Sequence, residues 1–577
     1  MFRLGTVASL LARCALAISP ELAAEFGYPA GVDVWCGKAY RATNGSFEPG
    51  GWLKKPTLST TPLLDLSIRP RLNLYLASET YASFLIDAPI SFMHGGRYVN
   101  ASYDRQNNVT TPFVKLFIDV EVVESGLNLI AGRYITVNTT NNEFGIKLSD
   151  LTPRFEPYQI VITGASGDGA QFYTATTELY YVPERTDGGS VAKVDNLYGG
   201  LLVQDVFANK TDWTPLFPYT FYTSWDEWLE LNLDYIRLFK EQGYNIIHIV
   251  PNLALDNKAF DFDVFDKYQD LMDEIGLWLM FDMRWSYMNL SSVETQVKRV
   301  KSHKSLLLYY TGDEPDGQVD PLNATKITYD LIKSIDPWHP VSLCLNCLNY
   351  YFGEYTSGTD IIMSDPYPIA VNTTFSSQYN TVCNTTYGCC GCDDCEGDFE
   401  DITTRLDLFK EYQEILNVPQ KPQWGVPQAF GNETFWVRYP TPEEEVVMNM
   451  LFINHGAKGI AMWEYTTEPG LINITSALSK ALTSSTVTPY LLGAFPVALD
   501  VEGETRVDAT AWSLGDSTLV SVVNMNYVPT FKANVSIALQ GVGKIEQVVW
   551  GSGWNAGGGL LSKVGLDALE VDIFIVS

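Results

Sequence analysis

From about residue 195 to 485 the chain repeats one pattern eight times: a short apolar run, then an amphipathic stretch long enough for a helix. An apolar run without polar alternation suits a strand buried on both faces, and such strands belong to parallel sheets covered by helices. The predicted strands are 197–204, 245–250, 277–281, 306–310, 341–345, 360–363, 423–426 and 459–462. Predicted helices between them include 225–241, 264–274, 293–301, 325–334, 403–416 and 443–455, with Gly243 and Gly276 closing the first two. Eight such alternations predict an α/β fold, a parallel (β/α)8 barrel of the TIM type.

Outside that zone the rhythm changes. Residues 25–190 read as strands split by turn residues: 114–123 alternates with period two, and 133–137 and 158–163 are rich in β-branched residues. An N-terminal β-sandwich is predicted there, with a linker at 186–190. Residues 486–577 give short strands again, read as a smaller C-terminal β-sandwich. Residues 1–20 read as a signal peptide, because Arg3 precedes an apolar stretch that ends in small residues.

Charge and modification signals narrow the setting. A net charge of -30 argues against a nucleic-acid partner, which needs basic patches, and suits a neutral or cationic ligand. Twelve N-x-S/T sequons, at Asn44, Asn100, Asn108, Asn138, Asn209, Asn289, Asn323, Asn372, Asn384, Asn432, Asn473 and Asn534, predict N-linked glycans and a secreted, extracellular protein, as at a cell wall. No later run is apolar for the length of a membrane span, so none is expected. Of nine cysteines, Cys14 falls in the signal. Cys383, Cys389, Cys390, Cys392 and Cys395 crowd one Gly- and Asp-rich loop, read as disulfide-stapled and forming a lip beside the site. Five is odd, so one of them is expected to pair outside the cluster.

In a barrel of this kind, the residues just past the C-terminal ends of the strands build the site. Those positions hold Asp282, Arg284 and Trp285 after strand three, and Asp313, Glu314 and Asp316 after strand four. They hold Asp365 and Tyr367 after strand six, Trp424 and Gln428 at strand seven, and Trp463 and Glu464 after strand eight. Carboxylates cleave glycosidic bonds, and aromatic faces stack on sugar C–H surfaces. The set therefore predicts a carbohydrate substrate, with Glu314, Glu464, Asp365 and Asp313 as candidate catalytic groups. Asp282, Arg284, Trp285, Tyr367, Trp424, Gln428 and Trp463 are the candidate substrate-binding residues. No His groups with Cys or Asp at zinc spacing, and no G-x-S-x-G or P-loop is present, so neither metal nor cofactor is expected.

Thr311, Gly312, Asp313, Glu314 and Pro315 resemble the fourth-strand signature of the clan A glycoside hydrolases, in which Asn-Glu-Pro carries the acid/base Glu. Gly459 to Trp463 is similar to that clan's eighth strand, which ends in a substrate-stacking Trp. The resemblance covers the barrel, and with the segments at Asp365 and Gln428 it extends to a group of barrel glycosidases. It implies an O-glycosidase with Glu314 as acid/base, and the signal and sequons make the expected enzyme a secreted one. The chain departs where the clan places its nucleophilic Glu, after strand seven, because Gln428 stands there. Glu464 or Asp365 could be the second carboxylate, an inverting pair could activate water, or Asp313 could orient a 2-acetamido group while Glu314 protonates the leaving oxygen. The alternative is a catalytically inactive carbohydrate-binding or structural cell-wall glycoprotein on the same barrel.

Overall fold

The computed structural model describes residues 26–29, 31–104, 108–252, 255, 257–392, 394–530 and 534–577. The signal peptide expected at 1–20 lies outside them. At the centre is a closed barrel of eight parallel strands. They are β1 (Tyr219–Ser224), β2 (Ile246–Val250), β3 (Trp278–Asp282), β4 (Leu306–Asp313), β5 (Val341–Leu345), β6 (Ile361–Ser364), β7 (Gln423–Gly425) and β8 (Ile460–Tyr465). Parallel pairing of β8 with β1 closes the ring.

Seven of the eight predicted strands coincide with barrel strands; the first does not. Leu201–Gln204 instead pairs antiparallel with Ala192–Val194 and Trp213–Leu216, in a three-stranded sheet before the barrel. Leu201 and Val203 are apolar because they join the same core cluster as the barrel's interior residues. The true β1 is rich in Tyr and Thr, and its polar atoms are hydrogen-bonded. Thr223 Oγ1 donates to the His248 carbonyl at 2.9 Å, and the Tyr222 hydroxyl to that of Tyr310 at 3.2 Å.

The strands are buried on both faces, which explains their unbroken apolar runs. One face packs inside the ring through Tyr222, Met280, Leu308, Tyr310, Met363, Trp424 and Ala461. The other, with Phe221, Ile247, Leu279, Phe281 and Tyr309, meets the outer helices α1 (Tyr235–Glu241), α2 (Phe262–Ile275), α3 (Leu290–Val300) and α4 (Ala324–Ile335), while α5 (Phe352–Thr356) packs on Leu343, Leu345 and Ile362, and α6 (Glu400–Ile415) and α7 (Pro442–Asn454) complete the ring. Local chemistry sets the ends of these helices. Asp261 caps α2, which closes on left-handed Gly276, and Thr441 with Glu444 forms a capping box on α7. Gly459 has room for no side chain, since a Cβ there would lie 2.6 Å from the Trp424 ring.

Before the barrel, a four-stranded antiparallel sheet (Leu127–Thr136, Lys115–Val122, Tyr158–Ala165, Phe172–Leu179) and a three-stranded one (Asn142–Lys147, Tyr81–Asp87, Ser67–Pro70) share one core. Leu116, Ile118, Ile160 and Ile162 face Phe84, Ile86 and Ile68 across it. After the barrel, a five-stranded sheet turns Trp512, Leu519 and Ile573 onto α7 and its neighbours, and Val520, Val522 and Phe574 onto a four-stranded sheet. The segment around Val34–Trp35, expected within the N-terminal sheets, lies on the barrel rim instead. There Phe26, Tyr28, Val34 and Cys36 pack with Val319, Cys347 and Tyr350.

Among the described residues the disulfides are Cys36–Cys347, Cys383–Cys390 and Cys392–Cys395. The bonded cysteines of the 383–395 loop thus pair within it, and the bridge to the rim comes from the isolated Cys36. Among the described residues no helix is long and apolar enough to cross a membrane.

One buried carboxyl makes stability depend on pH. Glu445 on α7 accepts from Asn449 Nδ2 at 2.8 Å, its Oε2 has no partner, and burial pushes its pKa up to about 8. A raised folded pKa means that the native state keeps a proton the unfolded chain has lost. This contribution is full below the unfolded value, about 4.3, and is lost as pH rises through about 8. Glu445→Gln is therefore expected to raise Tm above wild type at pH 8 and to leave it nearly unchanged at pH 5, as read by thermal scans at the two pH values.

Candidate active site

A cleft of about 1010 Å³, counting its open mouth, lies at the C-terminal ends of the barrel strands. Its acids are Asp313, Glu314, Asp365, Glu433 and Glu464, and its aromatic lining includes Trp35, Tyr222, Trp285, Tyr367, Phe430, Phe435, Trp436 and Trp463. Cys389 and Gly391 of the stapled loop form part of the wall, as expected of a lip.

The floor is organised by Arg284. Its guanidinium is fully buried, donating through Nε to Asp282 Oδ2 and through one terminal nitrogen to Asp313 Oδ2, both at 2.7 Å. Asp282 also accepts from His248 Nε2 at 2.8 Å, and burial keeps that imidazole neutral by lowering its pKa. The Tyr310 hydroxyl donates to Asp313 Oδ1 at 2.5 Å. Arg284 stays charged despite burial because Asp282 and Asp313 flank it, and Tyr222, Tyr310 and Trp463 offer it their ring faces at 5.2–5.5 Å. One cation serves two carboxylates, so burial still pushes the Asp313 carboxyl up.

Glu314 follows directly, in the left-handed region at φ 51° although Pro315 comes next. Such a residue costs about 1–3 kcal/mol and persists where surroundings over-determine it. Here the Glu314 N–H donates to the Cys344 carbonyl at 3.0 Å, and Gln318 Nε2 holds the Asp313 carbonyl at 2.7 Å. The turn aims the Glu314 carboxyl at Asp365, with which it hydrogen-bonds. Two carboxyls in such contact share one proton. Burial first, and nearby Asp313, raise Asp365 to about 6, while Asn346 Nδ2 donates to it at 3.3 Å. Asp316 lies behind, fully buried, clamping the strand-four turn to strand five by accepting from the Cys347 N–H at 2.9 Å and the Asn346 N–H at 3.3 Å. Burial raises it to about 7.

Glu464 and Glu433 sit at a second position in the cleft. Burial first, then the neighbouring Glu433 and Glu227, raise Glu464 to about 8, and burial raises Glu433 to about 7.

Of the residues predicted from the sequence, Asp313, Glu314, Asp365, Glu464, Trp285, Tyr367 and Trp463 line this cleft. Asp282 and Arg284 lie beneath it, fully or almost fully buried, and act on it through Asp313. Trp424 and Gln428 are not brought to it. Trp424 is fully buried inside the barrel against Gly459. Gln428 spends its amide on the backbone, with Oε1 accepting from the Ile369 N–H at 3.0 Å and Nε2 donating to the Ile369 carbonyl at 3.1 Å. It ties the strand-six loop to strand seven and has nothing left for a sugar. Sequence reasoning missed Trp35, Tyr222, Asn346, Glu433, Phe435 and Trp436. The run from Glu433 to Trp436, acid and aromatic together just past strand seven, was a readable signal. Trp35 adjoins Cys36, so knowing that Cys36 pairs with Cys347 would have placed it, and its indole donates to Asn346 Oδ1 at 2.9 Å.

No protein-family model matches the chain, and no curated protein matches it. Among solved structures it is similar to an FMN-binding β-glucuronidase from Facaelibacterium prausnitzii L2-6 (12% identity, 90% of this chain and 70% of that one, TM-score 0.32). It is similar to a β-glucuronidase from Ruminococcus gnavus in complex with D-glucuronic acid (14% identity, 70% and 60%, TM-score 0.32). It is also similar to a GH30 endoxylanase from Clostridium papyrosolvens C71 (12% identity, 63% and 96%, TM-score 0.40). All three are glycoside hydrolases. At such scores the likeness adds nothing to what the strand pairing already shows of the barrel.

Removing Arg284 would leave two buried carboxylates without their cation, a change that costs about 3–5 kcal/mol. Arg284→Met is expected to lower unfolding free energy by about that amount, as read by urea denaturation. A loss under about 1 kcal/mol, the size of a surface pair, would contradict the arrangement.

Proposed function

We propose that the protein is a secreted glycoside hydrolase in which Glu314 is the general acid/base. The observation that carries this reading is the hydrogen-bonded Glu314–Asp365 carboxyl pair at the end of a barrel strand inside an aromatic-lined cleft. A shared proton keeps one member acidic near neutral pH, as protonation of a leaving glycosidic oxygen requires. The resemblance of Thr311–Pro315 to the clan A signature points the same way.

A carboxyl in hydrogen-bond contact is closer than the ~5–5.5 Å of a retaining pair or the ~6.5–9.5 Å of an inverting one. Asp365 is therefore assigned to holding the proton of Glu314, and Glu464 to the second carboxylate. Asp313, held by Arg284 and Tyr310, fixes the turn that carries Glu314. The aromatic faces of Trp463, Trp285 and Tyr367 would stack on the sugar. The sheet pairs before and after the barrel are read as β-sandwiches that support it. Three disulfides support an extracellular setting. So do the sequons: all twelve asparagines lie at least partly at the surface, ten of them exposed and only Asn44 and Asn289 half-buried.

Glu314→Gln is expected to lower kcat by about 10²–10⁴-fold, the range of general acid–base catalysis, with Tm and oligosaccharide binding retained. Turnover near wild type in the folded variant would support the non-catalytic, carbohydrate-binding alternative. Activity should fall only above about pH 6, where the pair gives up its last proton, because Asp365 ionises at about 6 while Glu314 still donates to it. In Asp365→Asn the amide donates to ionised Glu314 and favours it, so this limb of the kcat/KM profile should move to lower pH.

A further inference from the structure

The acids of the cleft differ in how they are held. Asp313 has Arg284 and Tyr310, and Asp365 has Glu314 and Asn346. The side chains of Glu433 and Glu464 line the same cleft without a hydrogen-bond or ion-pair partner among the described residues. Among the described residues no Lys, Arg or His lines the cleft. Arg284, whose charge reaches Glu464, is spent on Asp282 and Asp313 beneath the Trp463 ring. Two half-buried carboxyls, with the charge of Glu433 reaching Glu464, make a place where a positive charge is missing.

Aromatic faces surround that place. Glu464 follows Trp463 in the chain, and Glu433 is locked to Trp436 by two backbone hydrogen bonds, at 3.0 and 2.8 Å. Phe435 lies between Glu433 and Trp436 in the same turn. A carboxylate beside ring faces binds an organic ammonium by ion pairing and by cation–π attraction together. A metal ion suits the position less, since among the described residues no group of three or more His, Cys, Asp or Glu could hold one.

We infer that the cleft takes a sugar with a free amino group, a 2-amino-2-deoxyhexose unit, whose ammonium is received by Glu433 and Glu464. This rests on the glycosidase reading and names its substrate class. An N-acetylated unit carries no charge and puts a methyl group against the carboxyls. A uronic acid would add a further negative charge to a cleft of five acids in a chain of net charge -30. The ammonium would also supply the counter-charge that lets Glu464 ionise, so the second carboxylate becomes available when this substrate is bound.

The test uses three probes, a β-1,4-linked glucosamine tetramer, its fully N-acetylated form and cellotetraose, with the full chain. Binding is read by calorimetry at pH 6 on Glu314→Gln, which leaves the probes intact, and hydrolysis is read on wild type. The glucosamine tetramer is expected to bind at least tenfold tighter than the other two. Adding Glu433→Gln to Glu314→Gln should erase that preference while leaving cellotetraose binding unchanged. Equal binding of the three probes, preference for the acetylated or neutral one, no binding of any, or a preference that survives Glu433→Gln would overturn the inference. Cleavage of cellotetraose or the acetylated tetramer without the preference would sink the amino-sugar assignment and leave the glycosidase standing. The preference without cleavage of any probe would do the reverse.

Discussion

The cleft depends on one buried cation. Arg284 cannot leave its carboxylates without stranding charge in the barrel, and they cannot shift without stranding Arg284. This mutual constraint fixes Asp313, Asp313 fixes the end of β4, and the end of β4 fixes the left-handed turn at Glu314. Tyr222, Tyr310 and Trp463 close around the guanidinium from three strands, so the aromatic floor is built on the same group. His248, neutral behind Asp282, completes the support without adding charge.

The rest of the cleft solves an electrostatic problem differently. Among the described residues five acids line a recess, Arg284 and Arg405 lie buried beneath it, and protons make up the deficit. Asp365, Glu433 and Glu464 all have raised pKa values, chiefly through burial. Protonation answers two needs at once, since it removes repulsion among the acids and leaves donors where a leaving oxygen needs one. The same device recurs at Asp316, which does not itself line the cleft and holds the strand-four turn to the backbone of Asn346 and Cys347.

Much of this was legible in the sequence, and the failures have physical causes. Most of barrel strands two to eight were readable because burial on both faces writes a largely apolar run, although strand seven is only Gln423–Gly425. The run at 306–310 ending in Asp313 and Glu314 marked the site for the same reason. Strand one was misread because apolar character reports burial, and Leu201 and Val203 are buried in the barrel's own core cluster without belonging to the barrel sheet. The true strand hides its barrel nature by satisfying Thr and Tyr hydroxyls inside the protein. Trp424 and Gln428 were assigned to the cleft from being near a strand end. Which way a side chain points there depends on the strand's length and on the loop beyond it, and Gln428 found backbone partners first. Glu433 and Trp35 escaped because they reach the cleft from a loop and from a distant segment, where no periodicity reports position.

The Cys36–Cys347 bridge spans 311 residues and carries Trp35 into the cleft wall beside Asn346. Ribosomes extend chains at about 5–20 residues per second, so roughly 15–60 s separate the appearance of the two sulfurs. Throughout that interval Cys36 is a thiol without its mate, open to exchange with any disulfide it meets. A chain that stops short of the fifth barrel strand never closes the bond. The wall around Trp35 and the loss of that reactive thiol therefore arrive together.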